Sequence, residues 1–239
     1  MSNVALIDGD IVAYRCAATC KGEDPSEIAC IRADSLIRQI LETLGCPDYW
    51  LFLSGQTNFR YAIYPNYKAN RRDVVRPKWL QPTREYLCVE WRADVTDGIE
   101  ADDAIGIKHT ELTAVNFNPI ICSLDKDFRQ IAGEHYNFVK EELSQVSELD
   151  AIRNFYKQLV LGDKGDHIPG FDGVFRQKPT IYINTVFDEI DLATSPKMMY
   201  NIVRSCYKTP DLMRNAQCLY IRRKEGEEWE FPTGSIPNA

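Results

Sequence analysis

Three short apolar runs constrain this chain most: Val4–Ile7, Tyr49–Leu53 and Pro119–Leu124. Each is too short for an ordinary helix and too apolar for a strand with one wet face, which marks strands buried on both sides. Residues 26–44 place Ile28, Ile31, Leu36, Ile37, Ile40, Leu41 and Leu44 at helical spacing, and Glu100–Glu111 reads as a second helix. The alternation predicts an α/β fold with a largely parallel sheet flanked by helices. In such folds ligands bind beyond the carboxyl ends of the strands.

Acid gathers at those ends. Val4–Ile7 leads into Asp8-Gly9-Asp10, and the Pro119 run leads into Asp125 and Asp127. Glu100, Asp102 and Asp103 open the second helix, while Asp163 and Asp166 sit in a glycine-punctuated loop, Gly162–Gly170. Singly, these read as turn chemistry, dipole-favoured helix starts or a solvated loop. Together, any two carboxylates about 5 Å apart repel by roughly 3 kcal/mol at an effective dielectric near 20. A fold that gathers them needs cations. Oxygen-only ligands suit Mg²⁺ or Mn²⁺ rather than Zn²⁺, and a pair of such ions is the usual device for cutting phosphodiesters. Gly9 would allow close backbone approach, and an extended segment would aim Asp125 and Asp127 to the same side.

Residues 60–85 break the α/β pattern with five arginines, two lysines and three tyrosines, an excursion above the sheet. Lys68, Arg71, Arg72, Arg76 and Lys78 could hold phosphates while Tyr67 stacks on a base. The net charge of −7 argues only weakly against nucleic acid, because two divalent ions would add four positive charges locally. Eight cysteines show no CxxC pair and lie mostly in apolar stretches, so buried reduced thiols and a cytoplasmic location are expected. No stretch reaches the roughly 20 apolar residues of a membrane span. Nothing supports a serine or cysteine nucleophile, and His109, His135 and His167 read as structural or surface groups. After Gly170, helical patterns recur at about 178–190, 196–207 and 210–220, and 225–239 reads as a loosely held tail.

In order, Asp8-Gly-Asp10, Asn66-Tyr-Lys-Ala-Asn-Arg71, Glu100-Ala-Asp-Asp103, Ser123-Leu-Asp-Lys-Asp127 and Gly162–Gly170 resemble the motifs of the flap endonuclease-like 5′-nuclease (PIN-like) superfamily, most of all its bacteriophage 5′-to-3′ exonucleases. The likeness covers about residues 1–175. It implies a PIN-like catalytic domain over 1–170 with a basic arch at about 60–88, and a helical DNA-binding appendage over 171–224. It implies two Mg²⁺ ions and hydrolysis at 5′ ends or flaps of duplex DNA or RNA–DNA hybrids, as in phage DNA replication. Asp8, Glu100 and Asp102 would serve one metal and Asp125, Asp127 and Asp163 the other, with Asp103 and Asp166 in support. Lys68 and Arg71 would hold the scissile phosphate at the base of the arch.

Two departures stand out. Relatives carry an Asp where this chain has Gly55, and Asp10 or a water is expected to fill that gap. The glycine-rich helix-hairpin-helix turn is replaced by Phe171–Pro179, leaving Arg176 and Lys178 to grip duplex and removing grounds for a potassium site. The rivals are a HAD-type phosphatase, which leaves residues 66–72 and 100–103 unexplained, a PIN-type ribonuclease, and a non-catalytic structure-specific DNA-binding protein.

Overall fold

The computed structural model describes residues 2–207 and 211–232. The first half runs β1 (Asn3–Asp8), α1 (Gly9–Ala18), α2 (Ser26–Leu44), β2 (Asp48–Leu53), α3 (Arg60–Ile63), α4 (Leu80–Glu90), β3 (Asp94–Val95) and α5 (Ala101–Ala114). The second runs β4 (Asn118–Cys122), β5 (Gly133–Asn137), β6 (Glu142–Val146), α6 (Glu148–Leu161), α7 (Ile181–Leu192), α8 (Pro196–Cys206) and α9 (Asp211–Leu219). Single 3₁₀ turns occupy Ala69–Arg71 and Lys126–Gln130.

The six strands form one sheet in the order β3-β2-β1-β4-β5-β6, parallel except for the β5–β6 pair. The alternating side chains of β1 explain why the sheet is covered twice. Ala5 and Ile7 pack with Val12, Ala33, Ile37, Ile40 and Leu87 beneath α1, α2 and α4, whereas Leu6 joins Phe52, Ile105, Ile121 and Phe128 on the α5 side. Each fully buried Ile or Leu contributes about 1.5–3 kcal/mol. The order in which strands are added reverses between the parallel neighbours β1 and β4, with β2 and β3 laid to one side and β4 and β5 to the other, and the carboxyl ends of β1 and β4 open the crevice expected for a ligand. Helix α2 ends on Gly45 with φ +58°, a left-handed cap that suits glycine. Ile31, assigned to its buried stripe by spacing, is 60% exposed.

Two expectations are corrected. Helix α4 packs its Leu87 and Thr83 inward against α1 and α2, so the basic excursion ends before residue 80 instead of reaching 88. The tail is not loose as far as residue 232: Trp229 is buried and its ring centroid lies 5.9 Å from that of Phe155. Residues 233–239 lie outside the described residues. Helices α7–α9 share a core with α6, built on Phe155, Leu159, Ile183, Val203 and Leu212, and Tyr67 is buried in it too. All eight cysteines are free thiols. Among the described residues no helix is long and apolar enough to cross a membrane.

Candidate metal centre

Asp8 ends β1 and caps α1, accepting from the Ile11 N–H at 3.1 Å, while Ser123 at the end of β4 donates its hydroxyl to the other oxygen at 2.7 Å. The serine ties the two strands across the switch point. A Cβ on Gly9 would lie 2.5 Å from the Phe52 carbonyl oxygen, which is why glycine separates the two aspartates. Burial pushes the Asp8 carboxyl up to about 7, against the pull of Ser123, with the Asp10 charge adding to the rise.

Glu100 caps α5, and its own N–H donates to Asp103 at 3.1 Å in a capping box. Its carboxylate accepts from the Tyr67 hydroxyl at 2.6 Å and pairs with Lys68. Burial pushes this carboxyl up, but Lys68 and Arg60 outweigh it and hold Glu100 below its ordinary value. Two residues on, Asp102 is drawn down only by the charge of Lys68, which does not suffice. Burial, then the charges of Glu100 and Asp8, drive it well above the carboxylate range.

Asp125 caps the 3₁₀ turn and accepts from the Asp127 N–H at 2.9 Å. The segment is therefore wound, not extended, so strand alternation does not set the directions of the two side chains. Burial and the charges of Asp125 and Asp163 raise Asp127 strongly. Its Oδ1 is buried without a hydrogen-bond partner, a donor atom suited to a cation. Lys126 lies 3.1 Å from Asp163, whose other oxygen accepts from the Asp166 N–H at 3.0 Å.

The carboxylates thus form one connected array: Glu100 lies beside Asp102 and Asp8, shares Tyr67 and Lys68 with Asp166, and Asp166 in turn neighbours Asp163 and Asp127. Asp125 raises Asp8, Asp102 and Asp127. Among the described residues no three acidic, histidine or cysteine groups meet closely enough to form a preformed ion cage. Lys68, Arg71 and Lys126 provide part of the neutralisation. The oxygen-only donors, the unpartnered Asp127 oxygen and the suppressed ionisation of Asp8 and Asp102 fit hard divalent cations.

The basic segment bears directly on this centre. Lys68 N–H donates to the Asp166 carbonyl at 2.9 Å, Arg71 pairs with the Asp166 carboxylate at 2.5 Å, and Asn70 donates to the carbonyls of Lys164 and Gly165. Lys68 and His167 both hold left-handed backbones, φ +53° and +58°, on either side of that junction. Strain of this kind, about 1–3 kcal/mol each, collects where a site over-determines the chain. Arg71, Arg72, Arg76 and Lys78 are exposed beyond it.

Four assignments change. Tyr67 is 2% exposed, its hydroxyl directed at Glu100 and Asp166 (2.8 Å), so it cannot stack on a base. Asp103 is fully buried in a bidentate pair with Arg60 at 2.6 and 2.8 Å and orients Glu100 instead of facing an ion. Asp10, expected to fill the gap at Gly55, pairs with Arg84 and accepts from the Ser54 N–H at 2.9 Å, so arginine already matches its charge. Arg176 is tied to Asp172 at 2.5 Å, whereas Lys178 is exposed and has no ion pair among the described residues. Sequence alone assigned no role to Arg60, Ser123 or Lys126, and placed Arg84 in the basic stretch, whereas it pairs with Asp10. Only Ser123 and Lys126 carried a signal, by lying inside an acidic motif.

Replacing Tyr67 with Phe should lower stability by about 1–3 kcal/mol, because two carboxylates lose their shared donor. Denaturant unfolding checks this, and a wild-type midpoint would mean that the hydroxyl carries no structural role.

An α/β sheet covered by helices on both faces, with acid clustered at the β1–β4 switch and a basic segment over it, defines a site of the kind that can hold divalent cations beside a phosphodiester. The chain belongs to the family described as 5′-3′ exonuclease, N-terminal resolvase-like domain, whose model matches residues 3–158. Among curated relatives it is 27% identical over 190 residues to a 5′-3′ exonuclease of Buchnera aphidicola subsp. Acyrthosiphon pisum, covering 74% of this chain and 63% of the relative. It is 25% identical over 186 residues to the flap endonuclease Xni of a Shewanella species, covering 73% and 71%. The bacteriophage T5 5′-exonuclease with bound zinc shares the fold, with a TM-score of 0.65 at 19% identity over 91% of this chain and 89% of that one.

Proposed function

We propose that the chain is a divalent-metal-dependent nuclease that hydrolyses phosphodiesters at 5′ ends or flaps of duplex DNA and of RNA–DNA hybrids, with Mg²⁺ as cofactor and Mn²⁺ able to substitute. The observation that carries this reading is the gathering of these carboxylates at the carboxyl ends of β1 and β4, with Asp125 acting on Asp8, Asp102 and Asp127 and each of those three held from ionising by burial and neighbouring charge. Glu100, Asp102 and Asp8 would hold one ion and Asp125, Asp127 and Asp163 the other. Bound there, the ions supply an activated water and a counter-charge for the leaving oxygen.

The remaining roles fall to the chain's own side chains. Lys68 keeps its proton because Asp166 and Glu100 outweigh its burial, so it can meet a phosphate oxygen as a fixed cation. Arg71 would exchange Asp166 for phosphate and fix the 5′ end, a positioning effect. Arg72, Arg76 and Lys78 extend the positive approach, and Lys178 would meet duplex backbone further along.

The test offers a 5′-flap duplex, a blunt DNA duplex, an RNA–DNA hybrid and single-stranded RNA side by side in Mg²⁺ and in Mn²⁺. Cleavage of duplex or flap substrates with single-stranded RNA spared is expected. Cleavage of RNA alone would select a PIN-type ribonuclease, and binding without cleavage a non-catalytic DNA-binding protein.

A further inference from the structure

Residues 218–222 pass directly beneath the acidic centre, beyond the end of the matched family domain at residue 158. Three buried polar side chains hold their backbone. Arg60 donates to the carbonyls of Cys218 and Tyr220, both at 2.8 Å, and Asp103 accepts from the Arg222 N–H at 3.1 Å. Gln130 holds the same segment, donating to the Leu219 carbonyl and accepting from the Ile221 N–H, each at 2.9 Å. Ile221 is buried with Leu6, Phe52, Ala101 and Ile105 against the α5 face of the sheet. Gly106 of α5 lies so close that a Cβ there would run into the Arg222 carbonyl oxygen.

The same two charged residues reach the metal centre. Arg60 Nη1 is 3.5 Å from Glu100 Oε2, and Asp103 accepts from the Glu100 N–H. Besides Tyr67 and Lys68, Glu100 is therefore oriented by a pair that residues 218–222 hold through three further hydrogen bonds. A guanidinium with five donors needs all of these acceptors to stay in one orientation when buried.

We infer that the Cys218–Arg222 strap is a working part of the metal centre: by locking Arg60 and Asp103, it orients Glu100 and sets the affinity of the site for its divalent cation. The inference rests on the nuclease reading above. Arg60 and Asp103 are positioning residues, and the helical region after residue 170 then serves the chemistry as well as any duplex contact.

Gln130→Leu removes both strap bonds without altering any charge, and Gly106→Ala pushes on the strap at Arg222. Mg²⁺ binding to the full chain is measured by calorimetry without nucleic acid, with circular dichroism to check folding. A loss of about tenfold in Mg²⁺ affinity is expected in either folded variant, the scale of supports that orient metal ligands. Wild-type affinity in a folded Gln130→Leu protein overturns the inference while leaving the nuclease reading intact. If Gln130→Leu does not fold, Gly106→Ala decides by the same criterion. Absence of Mg²⁺ binding to the wild type overturns both.

Discussion

Asp102→Asn should abolish metal-dependent cleavage, a loss on the order of 10³-fold or more, while making the metal-free protein more stable at pH 8 by about 1–2 kcal/mol. The two effects have one cause. Asp102 sits with Glu100 and Asp8 where burial and like charge oppose its ionisation, so the asparagine removes an unfavourable charge together with a ligand. The sign with pH follows. Asp8, Asp102 and Asp127 have folded-state values above their unfolded ones, with Asp8 at about 7 against 3.8. Between those pH values the unfolded chain binds fewer protons than the native one. Asp8's contribution to metal-free stability is therefore greatest below about pH 4 and is lost as pH rises through about 7, and those of Asp102 and Asp127 fall in the same direction as pH rises. Thermal unfolding from pH 4 to 8 should show that decline in the wild type, a flatter one in Asp102→Asn, and recovery on adding Mg²⁺ to the wild type alone. A less stable Asp102→Asn protein at pH 8 would contradict the stored repulsion.

Gly55→Asp, which would restore the acid of related sequences, should damage the protein instead of completing it. A Cβ at residue 55 would collide with the Thr96 carbonyl oxygen, and that oxygen belongs to backbone that cannot swing away. Thr96 is held by its N–H to Leu53 at 2.9 Å, and its hydroxyl accepts from the Gly55 N–H at 3.3 Å. The clash lies at the first side-chain atom, so Gly55→Ala and Gly55→Asp should lose similar stability, about 3 kcal/mol or more. Neither should gain Mg²⁺ affinity. A Gly55→Asp protein of wild-type stability that binds Mg²⁺ more tightly would show that the position is an open ligand site.

What could be read in advance follows from what is local. The Val4–Ile7 and Pro119 runs gave parallel strands because period and burial are written in consecutive residues, and the acid following them fell at the switch point as the topology requires. The roles that changed depend on contacts distant in sequence. Tyr67 looks like a stacking residue among cations, yet its ring fills the α6–α9 core and its hydroxyl meets Asp166, 99 residues away. Arg60 carries no pattern until Asp103 and the carbonyls of residues 218 and 220 close around it. Trp229 lies in a polar stretch that hides its anchoring against Phe155. Amphipathic side chains such as these are assigned by their partners, and their own sequence neighbours do not reveal them.

The most direct test of the central claim is digestion of duplex DNA labelled at either the 5′ or the 3′ end, with Mg²⁺, Mn²⁺ or EDTA, for the wild type and Asp125→Asn. The expected result is short 5′-labelled products that require metal and vanish in Asp125→Asn while DNA binding persists. Release from the 3′ end, cleavage in EDTA, or full activity of Asp125→Asn would contradict a 5′ nuclease built on these carboxylates.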